Sequence, residues 1–179
     1  LQDYQTQGDT FDTLLKDMDD FAPDMIMMSI TNTTIFDDLK VVNELKAKHD
    51  PVVVLKGALF YAPEQAMLDM LDLSNVDYLI GGEIDFCIGK IADYCFKGVG
   101  TPGEINNILY KNADGALVPT KFHVWDDDLD AQPFPARELM PNDLYIRPDT
   151  KEPMATIQTA RGCPSQCVFC LTPEISGKR

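Results

Sequence analysis

With 179 residues, 45% of them hydrophobic and 25% charged, the chain is long enough for one well-packed core, or one domain and part of another. A net charge of −14 excludes nucleic acid as a main partner, because phosphate binding needs clustered Lys and Arg. No apolar run approaches the roughly 18–20 residues that span a bilayer, and no basic-then-apolar leader is present, so the chain reads as cytoplasmic with no membrane partner.

Leu1-Gln2-Asp3-Tyr4 reads as the tail of a strand. Residues 11–21 form an amphipathic helix, with Phe11, Leu14, Leu15, Met18 and Phe21 at helical spacing. Residues 24–30 are a short apolar strand that empties into polar Thr31, Asn32, Thr33 and Thr34. A helix over 36–48 follows (Leu39, Val42, Leu45), then a buried strand from Pro51 to Leu55, a helix begun by Pro63, and a strand over 76–80. Gly81-Gly82-Glu83 precedes a helix reaching about Phe96. On that helix Cys87 and Cys95 are expected as small core residues, and an odd count of five cysteines supplies no disulfide framework.

Continuous apolar strands separated by helices imply an α/β fold: a doubly wound, Rossmann-like parallel sheet covered on both faces. Ligands in such sheets sit beyond the carboxyl ends of the strands. Three loops therefore matter, over residues 29–34, 56–61 and 81–85. Glycines in them can equally serve only as tight turns.

Beyond Gly98 the character changes. Residues 107–110 and 116–118, joined through Asn112-Ala113-Asp114-Gly115, read as a small hairpin. Residues 122–149 are acidic and proline-rich, with Asp126-Asp127-Asp128 and Pro133, Pro135, Pro141 and Pro148, which is linker chemistry. Trp125, Phe134, Leu139 and Tyr145 could pin that linker to a neighbouring surface. Residues 154–159 read as a strand delivering Arg161 and the run Cys163-Pro164-Ser165-Gln166-Cys167-Val168-Phe169-Cys170. The spacing CxxxCxxC brings three thiolates together without a fourth. A structural zinc site wants four protein ligands, and an ordinary [4Fe-4S] cluster wants one cysteine per iron, so a three-cysteine cluster leaves one iron open to a small molecule.

The terminal segment closely resembles the start of a radical SAM domain (SAM, S-adenosylmethionine), in which a first barrel strand leads into CxxxCxxC after Arg-Gly, with an aromatic before the last cysteine. Arg161-Gly162-Cys163 and Phe169-Cys170 carry the match. The resemblance implies that Cys163, Cys167 and Cys170 hold three irons of a [4Fe-4S] cluster, that the fourth iron chelates SAM, and that Phe169 helps place the adenine. Reductive cleavage of SAM to a 5′-deoxyadenosyl radical is then the cofactor's own chemistry. Upstream, Ser29-Ile30-Thr31, Lys56-Gly57-Ala58, the run from Val76 through Gly81-Gly82-Glu83, and the linker from Asp128 to Arg137 resemble the cobalamin-binding domain of the cobalamin-dependent class. This implies cobalamin contacts at Ser29, Thr31, Gly57, Ala58, Gly81, Gly82 and Glu83. It also implies a small-molecule substrate, a reductant such as a flavodoxin or ferredoxin, and methyl transfer to an unreactive carbon.

Lys56 stands where the family's second turn carries its first glycine, and neither His49 nor His123 suits a cobalt ligand, so no cobalt–histidine bond is expected. Gly81-Gly82-Glu83 spells the barrel motif for the SAM amino group but precedes the cysteines, so the barrel's own motif would follow Arg179. The expected organisation is a cobalamin-binding-like domain over 1–100, a hairpin and linker over 101–150, and the start of a truncated radical SAM domain over 151–179. On this reading the parent is an enzyme and the chain alone, lacking the barrel body, is inactive. Alternatives are a cobalamin-assisted radical cyclase or rearrangement enzyme, a non-catalytic corrinoid-binding module, a zinc knuckle, and a ferredoxin-like electron carrier.

Overall fold

A computed structural model of the chain describes residue 8, residues 10–125 and residues 128–178. The strand tail expected at Leu1-Gln2-Asp3-Tyr4, and Asp126 and Asp127 of the acidic run, lie outside the described residues. The described residues fall into two compact units, one joining residues up to 22 with 128–160, the other joining 23–125 with 161–178.

The second unit holds a sheet of five strands: β1 (Met25–Ser29), β2 (Val52–Lys56), β3 (Tyr78–Ile80), β4 (Ile108–Lys111) and β5 (Leu117–Pro119), in that spatial order. In the first unit, helix α1 spans Phe11–Phe21; in the second, α2 spans Ile35–His49, α3 Gln65–Leu68, α4 Ile88–Lys97 and α5 Thr172–Ser176. Pairing is parallel from β1 to β3, and antiparallel from β3 to β4 and from β4 to β5. The expected all-parallel sheet is thus mixed, and the hairpin is built into it rather than standing apart. The reason lies in adjacent residues: Ile108 and Leu109 are both buried, each in a different core. Successive strand side chains point to opposite faces, so a strand buried at both must be covered on both sides, which a lone hairpin cannot achieve. Its turn is as expected: Asn112 Oδ1 accepts from the Asp114 and Ala116 N–H groups at 3.0 and 2.9 Å, and Gly115 takes the left-handed φ of +79°.

The same alternation divides β2. Val53 and Leu55 face a core with Leu39 and Val42 of α2, Phe60, Leu68 and Leu79. Val54 faces the opposite core, with Tyr78, Ile80, Cys87 and Ile91. Cys87 is buried and Cys95 packs half-buried against the same core, as their spacing suggests. Helix α2 is locked at its C-terminal end: Asp50 caps it in the left-handed region (φ 48°), and Lys46 Nζ lies 3.1 Å from Asp50, 3.2 Å from Asp77 and 2.7 Å from the Pro51 carbonyl. Asp77 Oδ2 also accepts from the Val53 N–H at 2.8 Å, tying the entry of β3 to β2.

Pro63 lies just ahead of its helix, which starts at Gln65 behind the N-cap Glu64. The first unit contains α1, N-capped by Thr10, and two short 3₁₀ turns at Arg137–Leu139 and Asn142–Leu144. The strand expected over 154–159 does not form. Its backbone finds no ladder beyond an isolated bridge of Pro153 to Ile146, and the Thr156 carbonyl instead accepts from Arg137 Nη2 at 2.5 Å. A strand without a neighbour has no partner for its N–H and C=O groups. Of the residues expected to pin the linker, Trp125 and Tyr145 are half-buried, but Phe134 is 97% and Leu139 58% exposed.

Candidate functional site

The three loops leave the carboxyl edge of the parallel strands side by side. Ser29 pairs with Lys56 and Lys56 with Ile80, and the ladder continues into the loops. The Ile30 N–H donates to the Lys56 carbonyl (2.8 Å), Gly57 to Ile80 (3.2 Å) and Gly81 to Asn107 (3.0 Å). Ser29 and Thr31 are exposed there. The Thr31 hydroxyl lies 2.9 Å from that of Thr33 and 3.0 Å from that of Thr34, which donates to Asp38 at 2.7 Å. Ala58 is exposed at the start of a 3₁₀ turn, and with Asn32, Tyr61, Glu64 and Leu171 it lines a cavity of about 270 Å³.

The glycines at this edge do not leave an open cradle. A Cβ on Gly81 would stand 2.2 Å from the Phe60 carbonyl oxygen, and one on Gly82 2.8 Å from Asn107 Cβ. On Gly57 it would meet Ile30 Cγ1 at 3.0 Å. In each case the chain itself occupies the space, so these glycines let one loop lie against the next. Asn107 reinforces the contact, donating from Nδ2 to the Val124 carbonyl (2.6 Å) and accepting the Val124 N–H at Oδ1 (3.1 Å).

The cysteine segment belongs to this same unit and is tied to the same edge. Arg161 Nη1 lies 2.7 Å from Asp85 Oδ2 and 3.8 Å from Glu83 Oε2, both in the loop after β3, and the guanidinium is 6.0 Å from the centre of the Phe86 ring. Gly162 turns the chain with a φ of +79°. The Cys163 N–H donates to the Gly177 carbonyl (3.1 Å), closing the base of the loop, and the Cys170 N–H donates to the Cys167 carbonyl (3.1 Å). Trp125 holds the far side, with Nε1–H donating to the Ile175 carbonyl (3.1 Å) and its ring against Gly177. His123 meets Tyr61 edge-to-face at 5.1 Å, and its Nδ1 lies 3.9 Å from Glu174 of α5. Burial, followed by the charge of Glu174, raises the Tyr61 hydroxyl above its ordinary range.

All three cysteines of the loop are free thiols, Cys163 and Cys170 half-exposed and Cys167 exposed. A hydrogen bond between Cys170 Sγ and the Thr172 hydroxyl, 3.4 Å away, holds the Cys170 thiol below its usual range. Among the described residues no three His, Cys, Asp or Glu side chains stand close enough together to hold a metal. The cysteines are therefore brought to one loop but their sulfurs are not converged. As a donor set they fit iron: three soft thiols, reduced and accessible, on a loop fixed at both ends. Phe169 is 87% exposed beside Cys170.

Sequence reading singled out Arg161 and the loop over 81–85 separately and missed their pairing, for which a single sequence holds no local signal. It also set His123 aside with the linker, whereas its contact with Tyr61 puts it beside the cavity.

The fold of this chain is similar to that of cobalamin-dependent S-adenosylmethionine radical enzymes of known structure. OxsB, in its structure with aqua-cobalamin and S-adenosylmethionine bound, matches at a TM-score of 0.67 and 19% identity over 94% of this chain and 22% of its own. The radical S-adenosylmethionine methyltransferase TsrM of Kitasatospora setae, with cobalamin and a [4Fe-4S] cluster bound, matches at 0.66 and 17% identity over 99% of this chain and 36% of its own. An uncharacterized methyltransferase of Pyrococcus horikoshii is 27% identical over 172 residues, 95% of this chain. The chain spans 36% of the length of that curated relative. No protein-family model matches. The resemblance drawn from the cysteine run, the loops and the linker thus extends to the fold.

Proposed function

We propose that this chain is the α/β segment and cysteine loop of a cobalamin-dependent radical SAM enzyme that transfers a methyl group to an unreactive carbon of a small molecule. The observation that carries the reading is the cysteine loop itself: three free thiols spaced CxxxCxxC, on a loop closed by Cys163 and Gly177 and fastened to the ligand-binding edge of the sheet. The likeness of fold to OxsB and TsrM, and the methyltransferase name of the curated relative, support the class and the reaction.

Cys163, Cys167 and Cys170 would hold three irons of a [4Fe-4S] cluster and leave the fourth to S-adenosylmethionine. When bound, cluster, S-adenosylmethionine and cobalamin supply the one-electron and methyl-transfer chemistry. The chain's own residues bind and orient. Thr172 favours the thiolate of Cys170, the form that ligates. Phe169 offers an exposed aromatic face next to Cys170 for the adenine. Ala58, with Asn32 and Tyr61, lines the cavity at the sheet edge where part of the corrin would lie, and Ser29 and Thr31 are exposed in the neighbouring loop. Gly57, Gly81 and Gly82 act one step back, by letting those loops pack. No histidine occurs in the loops over 29–34, 56–61 or 81–85, so these loops would form no cobalt–histidine bond.

The test is anaerobic reconstitution with iron and sulfide. About four irons per chain with broad visible absorption, lost in Cys167→Ala, is the expected result. Stoichiometric zinc with no iron would overturn it.

A further inference from the structure

We infer that Arg161 is a positioning residue: paired with Glu83 and Asp85, it sets Cys163 on the carboxyl edge of the sheet, so that the α/β unit itself orients the cysteine loop. The inference rests on the proposed cluster for its consequence, not for its geometry. Glu83 is nearly buried, its side chain 9% exposed, and Arg161 is 23% exposed. A carboxylate so far from water gains from a cation beside it, and Arg161 supplies one. Asp85, 43% exposed, adds the shorter contact of 2.7 Å. Arg161 Nη1 is itself buried and has no aligned hydrogen bond, so charge pairing and the Phe86 ring hold it.

The link from this pair to the first ligand is short. One residue, Gly162, separates Arg161 from Cys163, so their Cα atoms lie within about 7 Å of each other. Just beyond it, the Cys163 N–H is fixed to the Gly177 carbonyl. Cys163 is thereby held on both sides, while Cys167 stands exposed further along the loop. The thiols thus differ in their restraint: Cys163 is tied at its own N–H and through neighbouring Arg161, and Cys167 is exposed.

The experiment is alkylation of the full apo chain with iodoacetamide, with the rate at each cysteine read by mass spectrometry. Cys163 is expected to react more slowly than Cys167. Arg161→Ala should speed Cys163 about fivefold, the factor that corresponds to about 1 kcal/mol of lost restraint, and leave buried Cys87 unreactive. Glu83→Gln combined with Asp85→Asn should do the same, and Arg161→Lys should recover part of the protection. An unchanged Cys163 rate overturns the inference, as does a uniform rise that includes Cys87, which would mean general loosening. Reconstitution of the same variants forms the second arm. If the wild-type chain takes up no iron the cluster reading falls, while the alkylation rates still decide the role of Arg161.

Discussion

Gly81→Ala separates a glycine that makes room for a ligand from one that makes room for the protein. The added Cβ would lie 2.2 Å from the Phe60 oxygen, 2.5 Å from its carbonyl carbon and 2.6 Å from Tyr61 Cα, all backbone atoms that cannot rotate away. Overpacking of this kind costs about 1–3 kcal/mol, and displacing the Gly81 N–H from the Asn107 carbonyl adds about 1 kcal/mol. A loss of about 3 kcal/mol is expected, which at a slope of about 2 kcal/mol per molar urea lowers the midpoint by about 1.5 M. Gly57→Ala meets Ile30 at 3.0 and 3.1 Å and should cost about 1 kcal/mol. Gly89→Ala, in the first turn of α4 with nothing within 4 Å, should stabilise by about 0.5 kcal/mol. Urea unfolding of the apo chain, followed by the fluorescence of the single tryptophan, Trp125, reports on the unit that holds the sheet. A Gly81→Ala midpoint indistinguishable from wild type would refute the reasoning and return that glycine to the ligand.

Further outcomes follow from the core and its edges. Burial, followed by the charge of Asp85, pushes the Cys87 thiol up to about 12, from an ordinary value of 9.0. Between those values the unfolded chain has lost its proton and the native one keeps it, so stability should fall as pH rises, by up to about 1.4 kcal/mol per unit. Unfolding midpoints at pH 8 and pH 10 should show a drop that Cys87→Ala reduces; an equal drop in both proteins would count against it. Asp77→Ala removes the acceptor of the Val53 N–H and a partner of Lys46, and should cost about 1–3 kcal/mol in the same urea assay. Cys167→Ala should abolish the iron–sulfur absorption without shifting the urea midpoint of the apo chain, because its thiol is exposed.

Much of the unit with the sheet was legible residue by residue. The periodicity of residues 36–48 and the apolar run from Val52 to Leu55 announced a helix and a buried strand, because burial of one stripe or of both faces leaves its period in the chain. The same reasoning could have placed β4 inside the sheet, since Ile108 and Leu109 are apolar in succession. It failed over residues 154–159, where an apparent strand pattern has no neighbour to pair with. A pattern states which face wants burial; only a second strand supplies the hydrogen bonds.

The cysteine loop followed the same division. Its spacing, CxxxCxxC after Arg-Gly, marked three thiols on one loop as candidate ligands from the sequence alone, because proximity along a loop is a local property. Tertiary structure alone decided where the loop sits and what holds it. Arg161 meets Glu83 and Asp85, Cys163 meets Gly177, and Trp125 meets Ile175, contacts that the fold creates between residues far apart in the chain. It likewise decided that Gly81 and Gly82 accommodate neighbouring loops, since the atoms that fill their missing side chains come from Phe60, Tyr61 and Asn107. Excluded volume of that kind arises only after the chain has folded back on itself.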